Sequence, residues 1–61
     1  MGFQKEVDRT GIRLEEISFK TGIPFFTVFE HYNNDRVPRL ETALKYASIL
    51  DVSVEQLQAD E

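Results

Sequence analysis

The chain has 61 residues, no cysteine and a formal net charge of −4, which bounds it to one small domain over residues 1–61 that buries only about 60% of its unfolded surface. Disulfides and zinc thiolates are excluded as staples, so stability must come from helix packing, with dimerisation as an aid. No apolar run approaches the roughly 20 residues of a membrane span, and the opening MGFQKEVDRTG has no apolar signal region, so a soluble, cytoplasmic protein without a membrane partner is expected.

Along the chain the apolar residues recur at helical spacing, and no period-2 run is long enough for a strand. A first helix is expected over Gly2 to Arg9, where Phe3 and Val7 stand one turn apart, with Gly11 as its left-handed stop. A second runs from about Arg13 to Thr21, Leu14, Ile17 and Ser18 inward, and stops at Gly22. "GIP" makes a tight turn, and Pro24 suits the start of a third helix because its missing N–H costs nothing there. That helix continues to about Asn33, with Asn34 as its left-handed cap. After the loop "DRVPR", in which Pro38 holds Val37 extended, Leu40, Ala43, Leu44, Ala47 and Leu50 mark one apolar face of a fourth helix. Ser53 and Gln56 are spaced as a capping box, with Val52 and Leu57 placed as a staple around it, so "DVSVEQL" reads as a short fifth helix. The expected class is all-α, a compact bundle of five short helices. Val54, Leu57 and part of Ile49 exceed what one small core covers, which favours a homodimer through the fifth helix.

Residues Gly11 to Leu57 resemble the lambda-repressor-like (Cro/Xre type) helix-turn-helix family. The stretches that carry the resemblance are "LEEIS" and "TGI" over the second helix and turn, "TV" in the third, "NN" near its end, "VPRLETALKYASIL" and "DVSVEQL". The resemblance implies a DNA-binding transcriptional regulator, usually a dimer, whose third helix enters the major groove of an operator-like duplex. By matching position, Phe25, Phe26, Phe29 and Glu30 are the base-facing candidates. Arg13, Asn33, Arg36, Arg39 and Thr42 are the phosphate-facing ones. No cofactor is implied.

The departures from the family pattern fall on these positions. Leu14 stands where a glutamine often opens the second helix, and Phe25 and Phe26 stand where the third usually offers Gln, Arg, Ser or Thr. His31 replaces an apolar residue and Tyr32 a glutamate; both are expected to pack. Phenylalanine suits a thymine methyl, and Glu30 can accept from a cytosine amino group, although Glu30 and Asp35 would stand near phosphates of like charge. Adjacent residues cannot both face one core, so at least one of Phe25 and Phe26 should be exposed, while Phe29 divides evenly between core and surface. Exposed aromatic patches of this kind mark binding sites. The alternative function is therefore a non-DNA-binding helix-turn-helix domain whose third helix docks a protein. Residues 1–50 hold seven bases and seven acids, so the whole deficit lies in the last eleven residues, and acids beyond a Debye length of about 8 Å barely affect a basic face. No nucleophile, base and orienter set exists, no phosphate-cradling glycine loop, and one histidine only; an enzyme is not expected.

Overall fold

The computed structural model describes residues 2–57. Among them it is all-α: helices α1 (Phe3–Thr10), α2 (Leu14–Thr21), α3 (Phe25–Asn34) and α4 (Leu40–Leu50), then a single 3-10 turn, Val54–Gln56. The first four elements begin and end within a residue or so of expectation. Gly11 and Gly22 close α1 and α2 at φ 75 and 79, each donating its N–H to a carbonyl four residues back, a conformation that costs a side chain with a Cβ.

Three expectations are corrected. The fifth helix is only the 3-10 turn. Gln56 Oε1 accepts both the Ser53 backbone N–H and its hydroxyl at 3.2 Å, yet Leu57 follows at once and is fully buried. Only three residues separate the cap from that anchor, too few to offset the cost of nucleating an α-helix. The left-handed cap of α3 falls on Asp35 (φ 56), not on Asn34. The Asp35 carboxylate is also drawn to the start of α1, where its Oδ1 accepts the Gln4 N–H at 2.8 Å. Finally, Leu40 and Leu44 lie outside the core, more than half exposed. The inner face of α4 is Ala43, Tyr46, Ala47 and Leu50.

Tyr46 organises the core. It is fully buried, its ring stacks on Phe3 of α1 with centroids 4.3 Å apart, and its hydroxyl lies 2.8 Å from Nδ1 of His31 in α3. Ile17, Val28, Val37 and Leu57 complete the same cluster, none more than 2% exposed. Glu6, 5% exposed, is held by Arg9 at 2.9 Å and by Gln56 Nε2 at 3.2 Å, so the C-terminal turn is tied to α1. Leu57 is thus used inside the molecule, which removes it from any dimer surface. Among the described residues no helix is long and apolar enough to cross a membrane.

Candidate nucleic-acid interface

The turn between α2 and α3 is built by side chains of α2. Ser18 Oγ donates to the Ile23 carbonyl at 2.6 Å. Thr21 Oγ1 donates to the Ile17 carbonyl at 2.7 Å and accepts the Ile23 N–H at 3.2 Å. The bonds to Ile23 pair both backbone groups of that turn residue with side chains of α2 and so tie the turn to the helix that precedes α3. Val28 then anchors α3 in the core, while Thr27, His31 and Tyr32 are half-buried beside it.

The opposite strip of α3 faces solvent and holds all four residues expected to face bases. Phe26 is 66% exposed, Phe25 and Phe29 are 46% and 40% exposed, and Glu30 is exposed. Both members of the adjacent pair are therefore outside the core, and so is Phe29. Phe25 and Phe29 are one helical turn apart and stack, centroids 6.2 Å apart and planes within 20°. Their shared side lines a shallow groove of about 700 Å³ whose other wall is Val7, Ile12 and Leu14 with the charged Asp8, Arg13 and Glu15. Tyr32 closes its end by donating from its hydroxyl to Asp8 Oδ1 at 2.7 Å, a bond that raises the phenol's pKa. The groove was not legible beforehand, because it needs the α1–α2 loop seated against α3.

The five residues expected to face phosphates divide between two places. Arg13 sits at the groove, as the N-cap of α2. Asn33 and Arg36 are exposed on either side of the end of α3, Arg39 is the exposed N-cap of α4, and Thr42 is half-buried in that helix's first turn. Arg13, Arg36 and Arg39 make no ion pair among the described residues, in contrast to Arg9 and Lys20, which are paired within their own helices. Asp35, expected near phosphate, is turned to α1 instead.

Helix N-termini sharpen the difference between faces. The start of α1 receives the Asp35 carboxylate, and the 3-10 turn has its Gln56 cap. By contrast α2, α3 and α4 begin at Arg13, Pro24 and Arg39, with no side chain capping any of them. Helix stability favours Ser, Thr, Asp or Asn at such a position and disfavours a cation near the positive pole. An arginine there disfavours the helix, and an anion bound at that end would satisfy the free N–H groups and the guanidinium together. Burial lowers the pKa of His31, partly countered by Glu30, so the imidazole adds no charge to this face at neutral pH. No protein-family model, curated protein or solved structure matches the chain.

Proposed function

We propose that the protein is a DNA-binding transcriptional regulator of Cro/Xre helix-turn-helix type, with α2 and α3 as the motif and α3 in the major groove. The observation that carries this reading is the pair of unpaired arginines at the uncapped starts of α2 and α4. Neither arginine caps its helix, and a phosphate bound there would meet the free N–H groups and the guanidinium together, beside the first-turn acids Glu15, Glu16 and Glu41. Arg36, in the loop between α3 and α4, is a third cation without an ion pair among the described residues. The net charge of −4 is compatible with this, because Asp35 is engaged at α1 and the acids Asp51 and Glu55 follow α4 rather than flank α3.

Titration of the chain against mixed duplexes at two salt concentrations tests the reading. Salt-dependent binding is expected, and Arg13→Ala, Arg36→Ala and Arg39→Ala should each flatten the slope of log K against log salt by about 0.9. Binding that ignores salt, or slopes that these variants leave unchanged, would refute it.

A second reading has its own observation. The apolar groove between α3 and the α1–α2 loop is of the kind that receives an amphipathic partner helix, and Phe25 and Phe29 would be its anchors. In that case Phe25→Ala should abolish retention of a protein while the arginine variants retain it.

A further inference from the structure

Resting on the DNA-binding reading, we infer that α3 recognises the 5-methyl groups of thymine, so that its preferred duplex is A·T-rich where this helix lies. The exposed residues of α3 are Phe25, Phe26, Phe29, Glu30, Asn33 and Asn34. The first three have neither donor nor acceptor. Specific contact to guanine is made above all by Arg or Lys reaching its O6 and N7, and α3, FFTVFEHYNN, contains neither. His31 is turned inward to the Tyr46 hydroxyl and Tyr32 donates to Asp8, so Asn33 and Asn34 are the exposed amides of the helix, and asparagine pairs with adenine rather than guanine. A phenyl ring against a G·C edge would strip water from polar atoms and return no hydrogen bond. Against a thymine it meets a methyl group, the apolar feature that the major groove offers.

The geometry of the rings suits this contact. The Phe25–Phe29 stack spans one helical turn, about 6 Å of rise, which is close to two base-pair steps of about 3.4 Å each. Phe26 stands free beside it, 66% exposed. Glu30, the one acid on the strip, accepts from a cytosine amino group and so marks one G·C pair within the site, and Asn33 suits adenine. Charge favours a duplex over an apolar peptide as occupant: Arg13 borders the Phe25–Phe29 groove, together with Asp8 and Glu15, and Arg36 follows the end of α3, both arginines without an ion-pair partner among the described residues.

The test uses the full chain and a pool of randomised duplexes. Sequences retained at low salt should be rich in A·T pairs, and resynthesis with deoxyuridine for thymidine removes only the methyl groups. Binding should weaken about fourfold for each methyl that the rings cover, the equivalent of about 0.8 kcal/mol per buried carbon. Phe26→Ala, at a site that contributes nothing to the core, should shrink the difference between thymine and uracil duplexes and leave the salt slope intact. Salt-dependent binding with equal affinity for both duplexes, or retention of G·C-rich sequences, would overturn the inference and leave the DNA-binding reading standing. Absence of salt-dependent binding to any duplex would overturn both.

Discussion

Asp35 performs three tasks at once, and each depends on a property that few residues share. It takes the left-handed conformation that ends α3, which Asn and Asp tolerate better than other residues with a Cβ. Its carboxylate accepts the Gln4 N–H at the start of α1, where negative charge is favoured by the helix dipole. It thereby leaves the loop that carries Arg36 and Arg39 without an opposing acid at that point. Asp35→Ala should therefore cost about 1 to 3 kcal/mol, combining a lost cap with a strained φ, whereas Asp35→Asn keeps both the conformation and an acceptor and should cost under about 1 kcal/mol. Urea melts of the two variants check this order. Equal losses would mean that the carboxylate contributes through neither cap nor conformation.

At the scale of the helices, their positions were largely legible and the direction they face was less so. Gly11, Gly22 and Pro24 punctuate the chain by local backbone chemistry, and the Ser53–Gln56 pair acts over three residues, so each could be read where it stands. The inner face of α4 depends on partners distant in sequence. Periodicity in Leu and Ala favours Leu40 and Leu44, but Tyr46 takes the central position because Phe3 stacks on it and His31, 15 residues away, satisfies its hydroxyl. The Asp35 cap, 31 residues from Gln4, was hidden for the same reason. For the candidate site, exposure on α3 followed from the adjacency of Phe25 and Phe26, whereas the groove beside it required tertiary packing. Leu44→Ala, at a 53% exposed position, should accordingly change stability by no more than about 0.5 kcal/mol. Ile17→Ala, at a position with no exposure, should cost about 2 to 5 kcal/mol. Thermal or urea melts check this; a Leu44→Ala loss as large as that of Ile17→Ala would mean that α4 faces the core with its leucines.

For the molecule as a whole, a domain of this size has little stability in reserve, so a single titrating group at a core joint is visible in global unfolding. His31 is that group. Its ring packs edge-on against Tyr46 at 5.7 Å, with Nδ1 2.8 Å from a hydroxyl whose own pKa burial pushes up to about 12, so the phenol stays neutral throughout. Burial lowers the imidazole pKa below its ordinary value of 6.5, and the nearby Glu30 only partly opposes this. As pH falls, the unfolded chain takes the proton first, and unfolding is favoured wherever the unfolded state binds more protons. Stability from this source is complete above about pH 6.5 and declines as pH falls from there through the folded pKa, below which it levels off. Native-state carboxylates add their own acid loss mainly below about pH 5, so the diagnostic window lies between about pH 7 and 5.5. Urea melts across that window should show wild-type stability falling, and His31→Gln, which cannot take a proton, should remove the slope whatever its effect on stability at neutral pH. A wild type that gains stability on acidification, or a slope that persists in His31→Gln, would show that the imidazole is not held neutral by its burial between α3 and α4.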